Sequence, residues 1–393
     1  MGFQPSVQLL RATAAEENST ATSSSQDNLN FANTGASARL SALRGGASGV
    51  SVDDMAFNIG GQQIPTGALV GAVGALLGIT QSDAADAGGG LLDNRWGLFF
   101  TGIARDGNRD AVRGTLANGA TCVAAAGRDC VTESGFDFDG WQALMGVDFR
   151  FSPKFVAGLA LGAGKISAEL GAAGGGLESR SRLASIYGSL IPSANTYLDF
   201  TYTRLNNRYE QFRVIDLRAG NSEFFDARAK YRGSQNSVSL SGGYVFGFGA
   251  NSFTPNVRIS TGRTTIDAFS KTGRSIFNLN IKEQKFNSLQ YAVGFNFNRA
   301  ISFESGVLLP YVNFELTREN KNKDLTLTPT FVRNGVNAAP INISKADSSF
   351  GRGELGFTFV REGGWQFGLS YSQTLAYQYL SSRSIQLTGR IEF

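Results

Sequence analysis

From Arg95 to the C-terminus the chain repeats one pattern, in which segments of about ten residues alternate apolar with small or polar side chains and are separated by turn residues. Trp365, Phe367, Leu369 and Tyr371 alternate with Gln366, Gly368, Ser370 and Ser372. Further on, Ile385, Leu387, Ile391 and Phe393 alternate with Ser384, Gln386, Thr388, Arg390 and Glu392. A period of two gives a strand two chemically different faces. In a soluble sandwich the apolar face points into a core. In a transmembrane barrel it meets lipid, and the polar face lines the lumen. Alternation alone does not separate these cases, whereas strand length, strand number and connection pattern do.

Twelve strands are expected, at about 95–106, 137–151, 154–167, 179–191, 196–208, 234–247, 253–265, 286–298, 306–318, 348–361, 364–375 and 382–393. Most run 11 to 15 residues, against roughly five or six in soluble sheets, and a tilted strand needs ~9–11 residues to cross a bilayer. Short connections carry turn chemistry, as at Ser152-Pro153, Pro192 to Asn195, Gly249 to Ser252, Asn298 to Ala300 and Glu362 to Gly364. Long polar excursions near 107–136, 209–233, 266–285 and 319–347 lie between them. Short turns at one rim and long loops at the other, with an even strand count, form the outer-membrane pattern. The fold class is therefore all-β: a 12-stranded antiparallel transmembrane β-barrel over 94–393.

That orientation assigns roles to side chains. A charge on the lipid face near mid-membrane costs ~2–4 kcal/mol, so Asp148, Arg150, Asp199, Arg258, Glu315, Glu354, Arg390 and Glu392 are expected to line the lumen. Trp96, Trp141, Tyr197, Tyr311, Trp365 and Tyr379, near strand ends, suit interfacial girdles.

Composition narrows the chemistry. The chain has 393 residues and no histidine, which removes Ser-His-Asp triads, Cys-His pairs and His-ligated zinc. Gly162-Ala163-Gly164-Lys165 lacks the hydroxyl residue and first glycine of a phosphate loop. Asp137-Phe138-Asp139-Gly140 has only a fragment of calcium-loop spacing. No carboxylate pair stands out by spacing, so no enzyme, metal or cofactor is expected. The formal charge is +4 with no basic block, which argues against nucleic acid as a partner. Cys122 and Cys130 cannot complete a tetrahedral metal site and are read as a disulfide in the first long loop, consistent with an oxidising compartment.

The first 94 residues are less patterned. The opening MGFQPSVQLLRATAAEE lacks the basic start and apolar core of a secretory leader, so an exported protein would begin upstream of it or be a mature form. Residues 1–27 read as a flexible arm rich in Ser, Thr, Ala, Gln and Glu. Within 28–93, the stretch TGALVGAVGALLG at 66–78 has close-packing glycine spacing at Gly67/Gly71 and Gly74/Gly78. As a helix it extends ~20 Å, too short to cross the hydrocarbon layer. It is expected to tuck under or inside the barrel, with a partner protein docking through 64–80 as the other reading. SDAADAGGG follows as a linker.

The ordered set RWGLFFTGIARDGNRD, FDFDGWQALMGVDFRF followed by GLALGAGK, VLLPYVNFEL and the closing SIQLTGRIEF resembles the C-terminal translocator domain of Gram-negative autotransporters, the type V secretion barrel. The resemblance implies an outer-membrane barrel that anchors and exports an N-terminal passenger. It also implies that Ile385, Leu387, Ile391 and Phe393 form the terminal signal read by the barrel assembly machinery. Such domains hold a helix in the pore, and the matching segment is 28–44, with Arg39, Leu40, Leu43 and Arg44 before the stopping pair Gly45-Gly46. Arg39 and Arg44 would then meet lumenal carboxylates; an external amphipathic helix is the alternative. A plugged pore, and a surface scaffold or adhesin acting through its external loops, are the competing functions.

Overall fold

The computed structural model describes residues 20–21, 56–59, 62–65, 95–113, 131–133, 135–170, 175–216, 224–274, 278–321, 325–338, 340–343, 348–361, 365–377 and 379–392. Twelve long strands carry the architecture. They are β1 (Trp96–Arg109), β2 (Phe136–Ser152), β3 (Phe155–Leu170), β4 (Gly175–Ser193), β5 (Thr196–Asp216), β6 (Phe224–Tyr244), β7 (Asn251–Ile266), β8 (Gln284–Arg299), β9 (Gly306–Glu319), β10 (Ser349–Arg361), β11 (Trp365–Leu375) and β12 (Leu380–Glu392). Each pairs antiparallel with the next, and β12 returns to β1 through the register Leu380↔Arg109 to Glu392↔Gly97. The sheet is a closed ring. Closure leaves no unpaired edge, the condition that backbone in hydrocarbon must meet.

Every strand presents at least one large apolar side chain outward: Phe100, Met145, Leu161, Ile186, Phe200, Leu240, Val257, Val293, Leu316, Leu355, Phe367 and Leu387, in strand order, are all exposed. On most strands these outward apolar positions recur over about nine residues, as from Phe253 to Thr261 on β7 and from Leu308 to Leu316 on β9. Nine tilted residues cover the ~25 Å height of a lipid-facing belt. Most inward positions are polar, the reverse of a soluble core, apart from an apolar cluster of Phe99, Ile103, Leu144, Val156, Leu183 and Leu205 on the inner wall of β1 to β5.

Short turns gather at the rim where β2 meets β3 and β4 meets β5; at the tip following Phe246–Phe248, Gly249 takes the left-handed φ of 64° that glycine adopts without strain. The opposite rim is elaborated. Phe269–Ser270, Leu279–Ile281 and Thr330–Phe331 form a small sheet, and Leu325–Leu327 pairs with Ile341–Ile343. These pieces pack on the inner wall in an apolar cluster with Phe136, Phe138, Leu170, Tyr209, Tyr231 and Ile266. Tyr231 stacks on Phe269 at 3.9 Å between centroids and on Tyr209 at 5.0 Å. Ala21 belongs to the same cluster, and the helical pair Thr20 and Ala21 is 1% and 2% exposed.

Two expectations change. The excursion expected at 209–233 is mostly strand, because β5 runs to Asp216 and β6 starts at Phe224. Alternation continues there, with Tyr209, Gln211 and Arg213 buried inward, but the outward positions Arg208 and Glu210 are charged, since that wall stands in water above the lipid. Among the girdle aromatics, Trp96, Trp141 and Trp365 lie on the outer face, whereas Tyr197 and Tyr311 are on the inner one. Strand parity, not nearness to a strand end, decides the side.

Candidate functional site

The lumen is the enclosed surface of the ring, and among the described residues its wall has two halves. The inward positions from Leu177 to Ser189 on β4, from Tyr197 to Arg213 on β5 and from Ala227 to Ser239 on β6 are buried, including Leu183, Tyr187, Leu205 and Tyr209 at 4%, 1%, 0% and 0% exposure. Along β8 to β10 most inward residues are half-buried, Asn296, Asn313, Glu315 and Glu354 among them. One side of the bore is packed, and the other is half-open.

On the packed side, Asp148, Gly158 and Tyr187 form one cross-strand row on β2, β3 and β4. A Cβ at position 158 would lie 2.5 Å from the Tyr187 ring, so the missing side chain is what lets the tyrosine lean across β3. Its hydroxyl donates to Asp148 Oδ2 at 3.2 Å. Next to it, Ser189 Oγ donates to Asp199 Oδ1 at 2.7 Å. Both carboxylates are buried, at 3% and 5% exposure; Asp199 accepts from the neighbouring strand and Asp148 from the strand beyond its neighbour.

On the open side, Arg258 of β7 reaches across β8 to Glu315 of β9. Ala292 and Gly294 hold the intervening inward positions and leave the path clear. The guanidinium makes a two-point fork, Nε to Oε2 at 3.1 Å and Nη2 to Oε1 at 2.6 Å, while Nη1 donates to Ser260 Oγ at 2.7 Å. Thr317 donates to Glu315 Oε1 at 3.2 Å. Glu354 accepts from the Tyr311 hydroxyl at 2.9 Å and from Asn313 Nδ2 at 3.4 Å. Ser252, Asn298, Asn296 and Asn313 continue this as a ladder of hydrogen bonds.

The expected lumen residues thus divide. Arg258 and Glu315 meet, and Glu354 stands on the neighbouring strand beside Asn313. Asp148 and Asp199 are held by hydroxyls, and Arg390 is buried on the inward face of β12. Arg150 follows Asp148 on the same face of β2, near the short-turn rim, where its backbone N–H donates to Arg95 O at 2.8 Å. Ile385 and Leu387 face outward, with 56% and 42% exposure, while Ile391 is 4% exposed. The side chain of Glu392, Phe393, the segment 28–44 with Arg39, Leu40, Leu43 and Arg44, and both Cys122 and Cys130 lie outside the described residues.

Sequence reasoning missed Tyr187, Ser189, Tyr311 and Asn313 as lumenal partners. Parity within VLLPYVNFEL puts Tyr311, Asn313 and Glu315 on one face and was the available signal. Among the described residues no group of His, Cys, Asp and Glu side chains stands close enough to hold a metal ion.

The shape has known counterparts. The barrel superposes on the translocator domain of the autotransporter NalP from Neisseria meningitidis with a TM-score of 0.57 and 13% identity, covering 84% of this chain and 97% of that one. It superposes on the beta domain of the Bordetella autotransporter BrkA with a TM-score of 0.53 and 17% identity, covering 76% of this chain and 100% of that one. No curated protein matches the chain in sequence. The model of the autotransporter beta-domain family matches residues 130–372. The chain therefore belongs to the autotransporter beta-domain family: it is a Gram-negative outer-membrane barrel of the passenger-exporting class, a transport structure and not an enzyme.

Proposed function

We propose that this barrel, having exported its passenger, keeps the chain's own N-terminal region in the bore as a helix that narrows the pore. The observation that carries the reading is the uneven inner wall. Leu205 and Tyr209 face the lumen of a ring yet have no exposure, while Glu315 and Glu354 opposite remain half-open. Burial of Ala21 among Tyr231, Phe269 and Ile266 near the long-loop rim supports a chain entering from that side. Residues 28–44, as a helix, would extend ~25 Å from there, about the height of the lipid belt, before the linker leads to β1 at the other rim. Arg39 and Arg44 would meet lumenal carboxylates, with Leu40 and Leu43 against the packed wall.

In this reading 1–27 is the arm outside the pore, 28–93 the threading segment with its Gly/Ala-rich helix, and 94–393 the anchor. Hydrogen bonds and ion pairs to lumenal side chains can be exchanged for water, which allows a chain to slide during export and to rest afterwards. Cys122 and Cys130 would staple the first long loop. The terminal set Ile385, Leu387, Ile391 and Phe393 would address the barrel assembly machinery.

Single-channel recording of the full chain and of a chain starting at Arg95 tests the occupancy. Truncation is expected to raise conductance several-fold; equal conductance overturns it. Substituting Arg39 and Arg44 together by Ala is expected to give intermediate or flickering openings in the same recording.

A further inference from the structure

Above the lipid belt the outer wall of β3 to β6 carries a basic field. Lys165, Arg180, Arg208 and Arg232 are direct cross-strand partners on β3, β4, β5 and β6, all on the outward face. Nearer the lipid stand Arg182, one outward position along β4 and just beyond outward Ala184 and Ile186, and Arg204, two outward positions along β5 and just beyond outward Tyr202 and Phe200. Like charges directly opposed on neighbouring strands destabilise a sheet. Glu178 offsets part of the field, at 2.7 Å from Lys165 Nζ and 2.6 Å from Arg180 Nε. Among the described residues, no carboxylate lies within ion-pair reach of Arg182, Arg208 or Arg232, all of them exposed. The sector is local, because the row continues from Lys165 to Trp141 on β2 and Ala104 on β1, and the next outward positions toward the long-loop rim there are the acidic Asp139 and Asp106.

We propose that the outward arginines of β4 to β6 form a binding site for the phosphate groups of an anionic glycolipid in the outer leaflet. Guanidinium forks match phosphate oxygens two at a time. Basic side chains at a membrane surface draw anionic headgroups. The position selects a lipid over free phosphate: directly beneath the arginines, Ile186 and Phe200 are exposed on the outward face and continuous with the belt, so one molecule can set its phosphates on the guanidinium groups and its acyl chains on the wall below.

The full chain in neutral detergent, titrated with diphosphoryl lipid A and followed by native mass spectrometry, tests the site. The variants R208Q/R232Q and R182Q/R204Q are each expected to weaken binding about tenfold. Arg318→Gln, exposed and outward on β9, is expected to bind as the unaltered chain does. Heat-modifiable gel migration reports folding of each variant, and R208K/R232K, which keeps the charge but loses the fork, is expected to fall between. Unchanged affinity in both double variants, or an equal loss in R318Q, overturns the proposal. Inorganic phosphate displacing the lipid at equal concentration overturns the lipid as occupant.

Discussion

At the scale of single residues, the bore depends on small side chains that let large ones cross strands. Gly158→Val places new carbon against the Tyr187 ring and 2.6 Å from the Val147 carbonyl. Overpacking of this kind costs ~1–3 kcal/mol. Urea unfolding in lipid vesicles is expected to show that loss, and Tyr187→Phe, which removes only the hydroxyl from Asp148, about 1 kcal/mol. The Arg258–Glu315 fork is only partly enclosed, with side-chain exposures of 15% and 28%. Water therefore screens it, and Arg258→Ala is expected to cost ~1–3 kcal/mol, less than a fully buried pair would. Adding Glu315→Ala to it should restore part of the loss, since the second change removes the abandoned charge.

At the scale of elements, each strand is a boundary between two solvents. Val257 sits midway along the outward apolar positions of β7 and is 58% exposed. Val257→Arg is expected to destabilise by ~2–4 kcal/mol, while Thr261→Arg, at the belt's upper margin, should cost ~0–1 kcal/mol. The same vesicle unfolding assay separates them. This two-sidedness is why the strands were legible in the sequence: a period of two survives wherever one face meets lipid. It also marks where legibility stopped. Beyond Tyr202 on β5 the outward residues are Arg204, Asn206, Arg208 and Glu210, so the lipid signal ends while the hydrogen-bonded ladder continues. The small sheets built from 269–270, 279–281 and 330–331 are too short to show any period. Pairing inside the bore was hidden for another reason. Alternation gives each residue its side, but the meeting of Arg258 with Glu315 depends on the register of β7, β8 and β9 together.

At the scale of the molecule, the ring is sealed by its first and last strands. Thr101 and Thr388 are direct partners across that seam, and antiparallel partners of either kind have Cα separations within the range a disulfide spans. A double Thr101→Cys and Thr388→Cys variant is expected, when oxidised, to gain ~2–4 kcal/mol against denaturant and to lose it on reduction; no difference between the two forms would mean that the seam already holds at every step of unfolding. A wall without a slit has one more effect. Whatever polypeptide lies in the bore when the ring seals becomes a captive, like a cord through a bead: it can be drawn lengthwise toward either face of the membrane, but it can no longer slip sideways into the lipid.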